Sequence, residues 1–268
     1  MSANVVAIPE FSRKKILSVY AIEAKCEFLK ALRLPAYIVP TLSFPLLFYI
    51  MFVLVFGRNQ MLGSVTMAAY LLASYGSFGV IGASMFGFGI GVATERGYGW
   101  LQLKRASPMP PFAYFAAKTV MSLLFSSILV LALFILAVFF GGVRLSITNW
   151  LELAAVLVAG SIPFCALGLA IGYLAGPSSA PAIVNLIYLP LAFCSGLWIP
   201  LPVLPKFLQR IAPWLPPYHL GQMAQRVVAG EHWGSTFLLH SLALAGFTAL
   251  FLLFARLGYN RDDVKMYG

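Results

Sequence analysis

Charge is what this chain has least of: Asp, Glu, Lys and Arg make up 10% of its 268 residues, and only 8 of these are acidic. Soluble domains carry about 25% charged and roughly 45–50% apolar residues, because their surface has to be solvated. With 61% hydrophobic and 15% aromatic residues, this chain cannot cover itself with charge. A water-soluble globular enzyme, a disordered segment, a coiled coil and a collagen-like fibre are thereby excluded. Cysteine is scarce too. Cys26, Cys165 and Cys194 are odd in number and fall in a polar N-terminal helix and two apolar runs, so each reads as a small buried apolar residue and not as part of a disulfide framework.

Other absences concern chemistry. No glycine-rich loop ends in Gly-Lys-Ser/Thr, so the chain has no phosphate cradle of its own. His219, His232 and His240 stand apart in sequence, and no cysteine or carboxylate pair sits at ligand spacing, so no metal site is expected. Polyprenyl-transfer chemistry would need carboxylate clusters near the membrane. The adjacent pair Asp262 and Asp263 lies in the C-terminal tail.

What remains is hydrophobic length. A helix needs about 20 apolar residues to cross a bilayer, whereas barrel strands need about half that and alternate in polarity. Runs at 35–56, 65–93, 119–140, 151–175, 181–199 and 235–258 are long and do not alternate. The expected fold is therefore an all-α membrane protein with six spans, each closing its own backbone hydrogen bonds. No small-residue cleavage site follows the first run in GRNQMLGS, so that span is expected to stay in the mature protein.

The 18 basic residues then acquire a meaning. With a cytoplasmic N-terminus, the inner segments and the inner end of the last span hold thirteen of them, and the outer segments hold five: Arg58, Arg144, Lys206, Arg210 and Arg226. That bias predicts both termini in the cytoplasm, with contact to anionic lipid accounting for the basic surface. Nucleic-acid binding is not expected, since no separate basic patch with interleaved aromatics exists.

Between the spans, three segments have patterns of their own. Residues 12–34 read as an amphipathic interfacial helix capped by Ser12 and stopped by Pro35, with Val19, Tyr20, Ala24, Phe28, Ala31 and Leu32 on one side and Lys25, Glu27 and Lys30 mostly on others. A cytoplasmic element at 94–108 is short, flanked by glycine and proline, and followed by Ser107-Pro108. An outer segment at 200–230 carries one stripe through Leu204, Phe207, Leu208, Ile211 and Leu215 and another through Leu220, Met223, Ala224, Val227 and Val228. It reads as a re-entrant or interfacial helical pair before the last span. The tail is 259–268.

Inside the spans, Gly168, Gly172 and Gly176 recur every four residues, as Gly87 and Gly91 do. Close helix packing is the default reading of such a stripe, and a substrate path lined by small residues is the sharper one. Ionisable residues deep in the spans are almost absent, so a proton- or sodium-driven carrier is disfavoured. One enzymatic alternative is an intramembrane serine protease built from Ser195 or Ser84 with His240; another alternative is a structural or regulatory multispan protein.

Two passages resemble a known family, the membrane subunit of ABC-2 type exporters. Glu95, Arg96, Gly97, Tyr98, Gly99, Trp100 and Leu101, running to Ser107-Pro108, are similar to its coupling motif, with Gly97 where a second acidic residue is usual and Trp100 where a small hydroxyl residue is usual. Asn185, Leu189-Pro190, Ser195-Gly196, Pro200, Leu204-Pro205 and Pro213 through Pro217 to Tyr218 are similar to its C-terminal signature. The resemblance covers nearly the whole chain, as a domain at 35–258 behind the helix at 1–34.

That resemblance implies a permease, homodimeric or heterodimeric, paired with separate ATP-binding cassette ATPase subunits that hold ATP and Mg. This chain would bind no cofactor itself. Its cargo would be an amphiphile such as a drug, a lipid or a lipid-linked glycan, exported across a plasma membrane or bacterial inner membrane. Glu95, Arg96, Gly99, Leu101 and Leu103 would couple to the ATPase. Asn185, Pro190, Ser195, Gly196 and Pro200 would belong to the substrate path or gate, with the first and fifth spans at the dimer seam. Pro40, Pro45, Pro163 and Pro190 would kink or break spans.

Overall fold

A computed structural model describes residues 13–107, 109–110, 112–231 and 234–267. Ser12, Pro108 and His232 lie outside the described residues, as do the side chains of Asp262 and Asp263. The chain is an all-α membrane protein. Its helices are α1 (Arg13–Leu32), α2 (Pro35–Phe56), α3 (Met67–Gly97), α4 (Trp100–Ala106), α5 (Ala113–Phe139), α6 (Ile147–Ala159), α7 (Ile162–Leu174), α8 (Ala180–Cys194), α9 (Lys206–Ile211), α10 (Pro216–Val228) and α11 (Ser235–Tyr267). A two-residue antiparallel pair, Met61–Leu62 with Val65–Thr66, closes the loop before α3.

Five segments among the described residues are long and apolar enough to cross a membrane: Tyr37–Phe56, Met67–Gly97, Ala113–Phe139, Ile147–Leu174 and Ser235–Asn260. The fourth is α6 and α7 in tandem, with a break at Gly160 and Ser161. Pro163 explains the break, since it lacks an N–H and its ring collides with the carbonyl four residues back. The sixth expected span, 181–199, is helical only to Cys194. At 15 residues, α8 is about 22 Å long, short of the roughly 30 Å hydrocarbon core. It ends where Gly196 turns the chain at φ +77°, a region other residues rarely enter.

The bundle is organised around α3, which is buried along most of its length. Thr66 starts it by accepting a hydrogen bond from the Ala69 amide at 3.3 Å. Small residues then let its neighbours approach. A Cβ on Gly168 would meet Phe88 Cβ at 2.9 Å and the Met85 carbonyl at 3.0 Å, and one on Gly172 would meet Val92 Cβ at 2.8 Å. Both glycines thus lie on the backbone of α3, the close approach by which helices associate where solvent supplies no hydrophobic drive. Gly176 is different: it sits in the turn after α7 and would meet only Ser179 Oγ, at 3.5 Å.

At the far end from α4, α10 buries Leu220, Met223, Ala224, Val227 and Val228. The stripe expected before it is divided. Leu204 and Leu208 are buried while Phe207 and Ile211 are exposed, because Leu204 precedes α9 and, within it, Phe207 and Ile211 share a face turned about 60–100° from Leu208.

Candidate functional site

The α4 end of the bundle holds a buried cluster of charge. Glu23, Glu27 and Lys30 are spaced three and four residues apart, so α1 presents them together. Glu95 comes from the last turn of α3, Lys104 from α4, and Tyr114 and Lys118 from successive turns of α5. Lys118 Nζ donates to Glu27 Oε2 at 2.9 Å and to Glu95 Oε1 at 3.0 Å. Lys30 bonds Glu27 at 3.0 Å and also Glu95. Lys104 reaches Glu27 at 3.0 Å and also Glu23, with its ammonium 4.6 Å from the centre of the Tyr114 ring. The Tyr114 hydroxyl donates to Glu95 Oε2.

Three carboxylates thus face three ammoniums. Glu27, Glu95 and Lys118 are only 3%, 2% and 1% exposed, so each depends on the others to offset its lost hydration. The effect on Glu27 is plain. Burial alone would raise its carboxyl, but the ammoniums of Lys118, Lys30 and Lys104 together hold it down at about 2. Burial likewise opposes the charge on Lys104, yet its bonds to Glu23 and Glu27 raise it above the ordinary lysine range.

The sequence placed Glu95 and Lys118 in a cytoplasmic link and found almost no ionisable residue within the spans. Both instead lie within membrane-length helices, at their α4 ends. On α1 the buried polar face carries Glu27, while Leu17, Ile22 and Leu32 point outward. The spacing of Glu23, Glu27 and Lys30, and of Tyr114 and Lys118, was the available signal.

Next to the cluster, Arg96 donates to the carbonyls of Tyr173 and Ala175, the latter at 2.6 Å. These carbonyls lie at the C-terminal end of α7, where a cation is favoured. A Cβ on Gly97 would run into the Pro177 ring, which is the local reason that glycine and not an acidic residue stands there. Gly99, at φ +73°, then reverses the chain into α4. Of the five residues expected to couple to an ATPase, Glu95 and Leu101 are buried and Arg96 is engaged with α7, whereas Leu103 is 72% exposed. Tyr98 and Trp100 are exposed beside it, their rings 5.7 Å apart. Tyr98, Trp100 and Leu103 thus form an exposed apolar patch on the element, while Glu95, Arg96 and Lys104 anchor it from behind.

The residues expected at a gate form a second group. Asn185 is exposed on α8, its side chain donating to the Pro181 carbonyl at 3.1 Å. Pro190 lies inside the helix. Ser195 and Gly196 form the buried turn after it, and Pro200 follows, also buried. Aromatic contacts missed in the sequence hold this turn. Trp198 packs 5.6 Å from both Phe48 and Phe78, Tyr188 stacks on Phe78 at 4.8 Å, and the Tyr75 hydroxyl donates to the Trp198 carbonyl at 3.2 Å.

The histidines are not all isolated. His219 Nδ1 lies 2.8 Å from His240 Nδ1, with both rings buried between α10 and α11. Ser84 meanwhile donates to the Val80 carbonyl and accepts from Ser122. The serine–histidine pair required by an intramembrane protease is not assembled among the described residues.

Apolar helices of membrane length, the shorter α8 beside them and an element anchored by charge at one end define a multi-pass helical membrane protein. Comparison with known proteins makes this specific. Residues 20–229 match the ABC-2 type transporter family, and the chain belongs to it. YvfS of Bacillus subtilis (strain 168), which carries a transport-permease name, is 30% identical over 240 residues, spanning 90% of this chain and 96% of that relative. Membership makes the chain a membrane permease subunit of an ABC transporter, with an ATP-binding cassette ATPase as its partner.

Proposed function

We propose that the chain is half of a dimeric exporter driven by that ATPase, which binds ATP and Mg, and that its cargo is an amphiphile: a drug, a lipid or a lipid-linked glycan. In this reading both termini are cytoplasmic, in a plasma membrane or bacterial inner membrane. Tyr98, Trp100 and Leu103 meet the ATPase, while Glu95, Arg96, Gly99 and Leu101 hold the element in place. Asn185, Pro190, Ser195, Gly196 and Pro200 shape the gate, where α2 and α8 of two copies face each other.

One observation carries the choice of cargo. Neither α2 nor α8 contains Asp, Glu, Lys, Arg or His, and apart from Asn185, whose amide is turned back onto the Pro181 carbonyl, their exposed residues, including Phe44, Leu47, Met51, Leu186 and Phe193, are apolar. A path between such faces has nothing to neutralise an ion or to replace the hydration of a free sugar. It suits a molecule that carries its own apolar surface.

The test is transport by the permease reconstituted with the ATPase that co-purifies with it. Inside-out vesicles should accumulate a fluorescent phospholipid analogue when ATP is supplied, and should not accumulate glucose or sodium. Accumulation of the analogue only in right-side-out vesicles would reverse the direction. ATP-driven uptake of sodium or glucose without the analogue would overturn the cargo class.

A further inference from the structure

An open cleft of about 380 Å³ lies where α1 meets α2, lined by Cys26, Leu29, Lys30, Arg33 and Leu34. Its volume is in the range of ligand pockets, about 300–1,000 Å³. The walls combine two chemistries. Leu29 and Leu34 are 38% and 50% exposed, and beyond Leu34 the apolar surface continues onto the outward side of α2 at Val39. Between these walls stand two cations. Lys30 is 37% exposed although its ammonium already bonds Glu27 and Glu95. Arg33 is exposed and takes part in no ion pair among the described residues.

We infer that this cleft is a binding site for an anionic phospholipid of the leaflet next to α1, with its phosphate between Arg33 and Lys30 and its acyl chains against Leu29, Leu34 and the outer face of α2. The guanidinium matches a phosphate in a two-pronged geometry that an ammonium cannot reproduce, and the leucines match the chains. Free phosphate would satisfy the cations and leave the apolar walls idle. A zwitterionic lipid would bring its own ammonium against them. Because Lys30 is shared with Glu27 and Glu95, the headgroup touches the edge of the buried cluster and through it the residues that hold α4. The site requires only that the chain be embedded in lipid, so it stands apart from the proposed cargo and direction.

Cys26 reports on occupancy, since it lines the same cleft and is exposed. Cys194→Ala removes the other partly accessible thiol, leaving the buried Cys165. Maleimide labelling of Cys26 is then timed in nanodiscs of phosphatidylcholine, alone or mixed with phosphatidylglycerol. Phosphatidylglycerol should slow labelling, and Arg33→Gln should reduce that protection by about tenfold, the effect of losing a direct charge-assisted hydrogen bond to the phosphate. Lys25→Gln, an exposed neighbour outside the cleft, should leave it intact, and inorganic phosphate should give none. Three results would each overturn the site: no protection by phosphatidylglycerol, an equal loss with Lys25→Gln, or equal protection by inorganic phosphate.

Discussion

Lys118→Met removes one ammonium from a cluster balanced at three against three. The side chain is 1% exposed and bonds both Glu27 and Glu95, so two buried carboxylates lose a partner that water cannot replace. Breaking buried pairs of this kind costs about 3–5 kcal/mol. Glu27 shows a related quantity, the net worth of its own charge in this setting. Its carboxyl is held at about 2 against an ordinary 4.5, and each unit corresponds to about 1.4 kcal/mol, so its ionisation, net of the burial that opposes it, contributes on the order of 3 kcal/mol. Because its folded value is depressed, that stability is present above about pH 4.5 and is lost as pH falls toward about 2. Lys118 is the strongest attraction acting on it, so in Lys118→Met the acid-dependent loss flattens. Adding Glu95→Gln restores charge balance and should recover at least half of the lost stability. Equilibrium unfolding in mixed micelles, followed by tryptophan fluorescence from about pH 7 downward, reads all three effects. If Lys118→Met stays within about 0.5 kcal/mol of the parent, as a surface change would, or if the two substitutions simply add, the cluster is not the unit described here.

Three further outcomes are expected. Gly168→Leu and Gly172→Leu would force side chains into Phe88 and Val92, where even a Cβ comes within 2.9 and 2.8 Å; each should cost about 1–3 kcal/mol, whereas Gly176→Ala, with its nearest neighbour at 3.5 Å, should stay within about 0.5 kcal/mol, all measured as unfolding midpoints. Leu103→Asp combined with Trp100→Ala should cut ATPase co-purification by about tenfold or more, as loss of an apolar interface anchor does, without moving the thermal midpoint; an unchanged yield of complex would place the docking face elsewhere. At the other end of the bundle, burial pushes the His219 imidazole below its ordinary 6.5. Its contribution is therefore present above about pH 6.5 and lost as pH falls through the folded value. Hydrogen-exchange protection in α10, measured against the intrinsic rate at each pH, should fall on acidification, and His219→Phe should remove that dependence.

The parts of the fold that were legible in sequence are those set by local rules. Hydrophobic length located the long apolar helices, and glycine spacing marked the α7 face that meets α3 at Gly168 and Gly172. Local rules failed where tertiary contacts decide. Hydropathy over 181–199 cannot register that Gly196 turns the chain and leaves α8 at 15 residues. Gly176 keeps the spacing of its neighbours but falls past the end of α7. The charge cluster was hidden for a different reason. Glu27 and Lys118 are 91 positions apart, and a lone lysine at the start of an apolar run reads equally well as a topology signal. The resemblance marked Glu95 and Arg96 as important, but only the geometry shows that they face inward.

Lipid gives α1 no hydrophobic reason to prefer protein over bilayer, so its exposed leucines cannot set where it lies. A carboxylate buried at Glu27 can, because it is stable only where Lys118, Lys30 and Lys104 converge. The same bonds tie α4 to the bundle. Lys104 reaches α1 through Glu23 and Glu27, and Arg96 reaches α7 through the Tyr173 and Ala175 carbonyls. A force applied at the exposed Leu103 is therefore delivered to α1 through Lys104, by polar contacts with defined geometry, where apolar contacts alone would let α4 slide. Replacing the cluster with well-packed apolar residues could preserve stability, since buried ion pairs are poor sources of it. It would forfeit the registry between α4 and the helices to which these bonds tie it.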